Sequence, residues 1–142
     1  MKEHSLSKKE RIKSTKEFEM VFSQGKTIYS KSGKFKAVFT QTVRKDSSVK
    51  IAVGVSRKAG NAVWRNRVKR LLRESYRSIK TELTSRISSD SRTLLIFFTT
   101  SRLNQKKNRL LYLNDFLPEV SDLLYQIIKT IKPNENLEKS VE

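Results

Sequence analysis

Between Ser56 and Arg73 the chain carries seven cations, Arg57, Lys58, Arg65, Arg67, Lys69, Arg70 and Arg73, and no acid. The chemistry open to such a run is the holding of anionic oxygens. Arginine outnumbers lysine here, and its planar guanidinium fork grips phosphate with two parallel hydrogen bonds where an ammonium offers a point charge. Asn66 stands among the arginines with both a donor and an acceptor, a pair that reads a base edge or a 2′-hydroxyl. If the run is helical, Arg65, Lys69 and Arg73 follow one another at i, i+4 spacing and repel. Each such pair costs a helix about 0.2–0.5 kcal/mol. A face that needed only solubility would intersperse glutamates, so an anionic ligand is expected along it.

Chemistry of other kinds is poorly provided for. There is no cysteine, which excludes disulfides and thiolate metal sites. The single histidine, His4, falls in a polar N-terminal stretch. Asp46, Asp90, Asp115 and Asp122 stand singly, without the paired carboxylates that usually hold magnesium for phosphodiester hydrolysis. No catalytic residue and no metal ligand is therefore assigned to the protein. Over the whole chain 31 Lys and Arg face 14 Asp and Glu, a formal net charge of +17. Self-repulsion at that charge costs stability, and a polyanion is the natural partner. No apolar run is long enough to span a membrane, and the N-terminus has no apolar signal core, so a cytoplasmic protein with no membrane partner is expected.

The elements that must position these residues follow from periodicity. Residues 1–13 are polar and basic and are expected to form a flexible tail. Ser14-Thr15-Lys16-Glu17 reads as a capping box opening a helix over 14–24 that carries Phe18, Val21 and Phe22, with Gly25 at the position past its end that favours a left-handed glycine. Phe35–Val43 and Val49–Ser56 read as strands joined by a turn at 45–48, and a weaker strand is expected near 27–29. The odd residues of the first strand are its more apolar set. In the second, Ala52 and Gly54 leave room for a close neighbour.

A helix over about 61–83 gathers Trp64, Val68, Leu71, Leu72, Ser75 and Ile79 on one stripe and the cations opposite. A Ser-rich loop at 84–92 leads to Thr93–Thr99, an apolar run expected as a central strand covered on both faces. Residues 101–113 read as a basic loop with some helix. Phe116, Val120, Leu123, Leu124, Ile127, Ile128 and Ile131 mark a last helix over 115–131, with Pro118 in its first turn. A polar tail with three glutamates, 132–142, closes the chain and is expected to be disordered. The expected fold is α+β: a single-domain sandwich over 14–131, with a roughly four-stranded mixed sheet and about three helices in the order α-β-β-(β)-α-β-α.

Lys58 to Glu74 resembles the signature of the bacterial ribonuclease P protein family, K-x-G-x-A-V-x-R-N-R-x-K-R-x-x-R-E, without a gap. Phe18–Gly25 is similar to that family's F-x-x-V-F-x-x-G first helix, and Val53–Lys58 to the strand that leads into the motif. The resemblance covers roughly 11–131. It implies a sheet with helices on one side, the basic helix joining two parallel strands, and a role as the protein subunit of a ribonucleoprotein endoribonuclease that removes the 5′ leader of precursor tRNA. It implies that the catalyst is the RNA subunit, which holds the magnesium, and that no obligate protein partner is needed.

By the same resemblance Ser56, Arg57, Lys58, Asn61, Arg65, Asn66, Arg67, Lys69, Arg70 and Arg73 face the catalytic RNA. Arg11, Lys13, Phe18 and Phe22 line the path of the leader, together with a sheet aromatic, Phe35 or Phe39. Simple core packing is the alternative for Phe18 and Phe22. The chain departs from the family pattern in a longer 101–113 segment, in Trp64 at a variable position and in its acidic tail. Rival readings are a ribosomal RNA-binding protein, a nuclease acting alone and a DNA-binding helix. The basic motif, the scattered carboxylates and the lack of a helix-turn-helix partner speak against them in turn.

Overall fold

The structure is a computed structural model, and it describes residues 10–43, 49–87 and 92–131. The elements are helix α1 (Thr15–Gln24), strands β1 (Lys26–Tyr29), β2 (Phe35–Val43) and β3 (Val49–Val53), helix α2 (Ala62–Ile87), strand β4 (Arg92–Thr100) and helix α3 (Leu113–Ile131). A 3-10 turn, Arg57–Ala59, leads into α2. The four strands form one mixed sheet in the order β1-β2-β4-β3. β2 is antiparallel to both β1 and β4, and β3 runs parallel to β4, so α2 makes the crossover between parallel neighbours. The expected α+β sandwich of three helices on a four-stranded mixed sheet is the observed fold.

The register decides which face each residue serves. Phe39 lies opposite Ile96, which lies opposite Ile51, and Val38 lies opposite Phe97, which lies opposite Ala52. Facing residues project to the same side of a sheet. The face that holds Phe35, Ala37, Phe39, Val49, Ile51, Leu94, Ile96 and Phe98 packs on α2 and α3 and makes the main core. The other face packs Leu95, with Val38, Ala52 and Phe97, on Ile12, Phe18 and Val21. The helices are therefore not all on one side of the sheet, as the resemblance had implied: α1 covers one face, α2 and α3 the other. β4 is apolar on both faces because it is covered on both.

Local causes account for the remaining boundaries. Ser14 caps α1, its Oγ accepting from the Glu17 amide at 3.1 Å. Gly25 departs from the expected left-handed cap, since its φ is −75°. A Cβ there would meet the Val21 carbonyl oxygen at 2.2 Å and Val38 Cγ1 at 2.6 Å, so the glycine serves close approach of α1's end to β2. Arg11 and Ile12, which the sequence assigns to a flexible tail over 1–13, are held in the fold. Arg11 bridges Ile51 in parallel, the Ile12 amide donates to the Ile51 carbonyl at 2.9 Å, and the Ile12 side chain is buried.

α2 is longer than its apolar stripe suggested and includes residues 84–87 of the expected loop. α3 begins two residues early, at Leu113, which puts Pro118 in its second turn. A tight bond from the Asp115 amide to the Tyr112 carbonyl, 3.0 Å, opens that helix. Residues 101–112 contain turns but no helix. His4, the 45–48 turn, Asp90 and the acidic tail lie outside the described residues.

Candidate nucleic-acid interface

Asn61 starts the basic helix. Its Oδ1 accepts from the Trp64 amide at 2.8 Å, so this residue, assigned to RNA contact, has its side-chain oxygen committed as the helix cap. Trp64, Val68, Leu71, Leu72 and Ser75 are buried on the sheet side, as the stripe predicted, and Ile79 is half-buried. Tyr76, which the stripe omitted, is 1% exposed and packs its ring 6.0 Å from that of Phe98. Burial, helped by the charge of Glu10, pushes its phenol above the ordinary value of 10.

On the opposite side Asn66, Arg67 and Arg70 are exposed, while Arg65, Lys69 and Arg73 are half-buried at its borders. Some of this face is tied down. Arg65 Nε donates to the Gly60 carbonyl at 3.0 Å, and Arg67 Nη2 donates to the Leu111 carbonyl at 3.1 Å. Each bond uses one of the five N–H donors an arginine carries. Arg70 meets Glu74 one turn on at 3.3 Å, a solvent-screened pair of small energetic weight. Ser56, Arg57 and Lys58 are exposed just ahead of the helix, and the Ser56 hydroxyl accepts from the Lys58 amide at 3.2 Å, which fixes the turn.

Arg73 connects this face to a second feature. A cleft of about 420 Å³ at the β3 edge is lined by Arg11, Ile12, Phe18, Ile51, Ala52, Val53 and Arg73. Two guanidinium groups, Arg11 and Arg73, line its basic end, and Arg77 lies within electrostatic reach of Arg73. Burial first, then the like charges of Arg11 and Arg77, hold Arg73 below its ordinary value, and Glu74 only partly offsets them. An anion entering beside Arg73 would relieve that repulsion. Arg11 and Lys13 are exposed.

Phe18 is half-buried at the other wall of the cleft, stacked on Phe22 with centroids 6.3 Å apart and planes at 15°. Phe22 is 59% exposed and meets Phe97 edge-on at 5.1 Å. Core packing therefore does not account for Phe22. The pair Glu17–Lys50, 3.1 Å and largely buried, ties α1 to β3 and holds this aromatic wall in place.

The sheet aromatic that the resemblance implies, Phe35 or Phe39, does not lie at the α1 cleft. Phe35 and Phe39 are 2% and 4% exposed on the far side of the sheet, Phe35 edge-on to Phe116 at 4.9 Å, and neither reaches the α1 side. The ring beside α1 is Phe97 of β4. A Cβ on Gly54 would stand 2.7 Å from its Cζ, so Gly54, just past the end of β3, is the gap that admits the ring, on the Ala52 and Gly54 side where a close neighbour is expected. Alternation along β2 had placed Phe35 and Phe39 on the more apolar face, which was a signal for the main core.

Comparison with known proteins agrees with the motif. Residues 6–116 match the Ribonuclease P family. The chain belongs to the ribonuclease P protein family. A ribonuclease P protein component of Bacillus cereus is 39% identical over 80 residues, 56% of this chain and 67% of that relative. One from Bacillus anthracis is also 39% identical over 80 residues, 56% of this chain and 65% of the relative. Among solved structures, the RNase P protein of Staphylococcus aureus superposes with a TM-score of 0.63 at 19% identity, covering 83% of this chain and 94% of the other. That of Thermotoga maritima gives 0.64 at 20%, covering 82% and 96%. These two likenesses bear on the fold. Family membership makes the chain a protein component of the ribonucleoprotein endoribonuclease of tRNA 5′ maturation.

Proposed function

We propose that the α2 face binds the catalytic RNA subunit of ribonuclease P and that the cleft under α1 holds the single-stranded 5′ leader of precursor tRNA. The observation that carries this reading is the acid-free run of cations from Arg57 to Arg73, which meets an aromatic-walled cleft at Arg73. Arg57, Lys58, Arg65, Arg67, Lys69 and Arg70 supply phosphate contacts, and Asn66 supplies a contact to a base or 2′-hydroxyl. Arg11, Lys13 and Arg73 flank the leader backbone. Phe18, Phe22 and Phe97 offer π-faces, which suits leaders of differing sequence because every base stacks. Asn61 and Ser56 act by shaping the backbone around these groups.

The chemistry belongs to the RNA in this reading. Among the described residues no three His, Asp or Glu side chains cluster to hold a metal ion. No step is assigned to a protein side chain. Among the described residues no helix is long and apolar enough to cross a membrane.

The deciding experiment is cleavage of a precursor tRNA by the cognate catalytic RNA at low magnesium, with and without this chain. Protein-dependent cleavage, weakened by Arg65→Ala with Arg67→Ala, is the expected result. Tight binding of RNA with no effect on cleavage would instead indicate a different structured RNA as partner.

A further inference from the structure

The loop between β4 and α3 carries Arg102, Lys106, Lys107 and Arg109, and no acid occurs from Ser101 to Asn114. It is longer than the family pattern leads one to expect, and it does not hang free. The Gln105 amide donates to the Ala59 carbonyl at 2.7 Å, and Gln105 Oε1 accepts from the Asn61 amide at 2.9 Å. Trp64 Nε1 donates to the Asn108 carbonyl at 2.9 Å. Within the loop Asn104 Oδ1 accepts from the Lys107 amide at 2.9 Å, and the Asn108 amide donates to the Asn104 carbonyl at 2.8 Å. Gly60 is part of the seat, because a Cβ there would strike Trp64 Cε3 at 2.6 Å and Gln105 Cβ at 2.9 Å. The backbone is thus fixed against the start of α2, while Lys106, Lys107 and Arg109 stay exposed and their side chains make no hydrogen bond or ion pair among the described residues.

These three cations and Lys58 line a single open pocket of about 720 Å³ with Ala59, Gly60, Asn104 and Gln105, and no carboxylate lines it. A loop whose backbone is anchored by side chains and whose cations point into a shared acid-free pocket is preorganised for an anion. We propose that this pocket is a second phosphodiester-binding site, and that the loop is an arm gripping the backbone of the same RNA that α2 binds. The pocket sits at the N-terminal end of α2 and the leader cleft at Arg73. Eleven helical steps, from Ala62 to Arg73, separate them, about 17 Å. An RNA backbone running along α2 therefore meets the loop at one end of its track, well away from the leader path.

The inference rests on the proposed catalytic-RNA partner, and the test separates the two. The full chain is titrated against the cognate catalytic RNA between 50 and 200 mM salt, as wild type, as Lys106→Gln/Lys107→Gln/Arg109→Gln and as Arg65→Ala/Arg67→Ala. Each lost phosphate contact lowers the slope of log affinity against log salt by about 0.7–0.9, so the loop variant should lose about 2–3 from the slope without a lower melting temperature. Replacement by Lys106→Arg/Lys107→Arg should keep the wild-type slope. If the α2 variant loses slope and the loop variant does not, the loop site is refuted and the α2 reading stands. If neither variant changes the slope, the catalytic-RNA reading itself fails, and the loop site with it. A loop variant that assembles normally but binds precursor tRNA more weakly in the holoenzyme would assign the loop to substrate, which also overturns the proposal.

Discussion

Phe22 and Phe35 are the same residue type with opposite exposures, 59% and 2%, and they test the two faces of the sheet separately. Phe22→Ala removes a ring that contributes little burial, so stability should change by less than about 1 kcal/mol. It deletes a stacking surface, and leader affinity should fall by about 1–3 kcal/mol. Phe35→Ala empties a core site against Phe116 and should cost about 3–5 kcal/mol in a denaturant melt, with no loss specific to the leader once folded protein is compared. Equal leader effects for the two variants would place the cleft elsewhere.

Tyr76 gives a pH-dependent counterpart. Because its folded value is raised, its contribution is fully present below pH 10 and is lost as pH rises through the higher folded value. Wild type should lose up to about 1.36 kcal/mol per pH unit above pH 10 relative to Tyr76→Phe, the difference removing the lysine titrations common to both. Parallel alkaline melts would show that the phenol is not the buried group.

At the scale of elements, helix faces were more legible than sheet faces. The α2 stripe and the α3 periodicity placed every named apolar residue on the packed side, because a surface helix has one core to face. A strand has two, and here both are apolar. Nothing local in β4 says whether Phe97 or Phe98 lies under α1, since that depends on its register with β2 and β3 and on which face α1 returns to. The seat of the N-terminal segment on Ile51 was illegible for a related reason: a bridge of two or three residues between distant segments leaves no period to read.

Gly25 shows how the same residue type can be read correctly as special and wrongly in cause. Its φ is ordinary, and the constraint is space: a Cβ would stand 2.2 Å from the Val21 carbonyl oxygen and 2.6 Å from Val38 Cγ1, where α1 closes over β2. Gly25→Ala should therefore destabilise by overpacking, by about 1–3 kcal/mol, and should lower leader affinity by displacing the aromatic wall, while binding of the catalytic RNA through α2 is retained. A left-handed cap would predict the stability loss alone.

The whole molecule joins two roles to one charge. At +17, with cations crowded on α2, at Arg73 and in the 101–112 loop, the folded chain repels itself, and salt should relieve that repulsion. Binding has the opposite sign, because a protein that neutralises RNA phosphates releases counterions, and added salt works against that release. With roughly six phosphate contacts, affinity for the catalytic RNA should fall about 10³-fold between 50 and 200 mM salt. Over the same range the thermal midpoint of the free protein should rise. Melts and titrations on one preparation measure both trends. A midpoint that falls with salt would mean that attractive pairs such as Glu17–Lys50 and Glu10–Lys80 outweigh the like-charge crowding. An affinity that ignores salt would remove phosphate contact from the account of every basic residue on the α2 face.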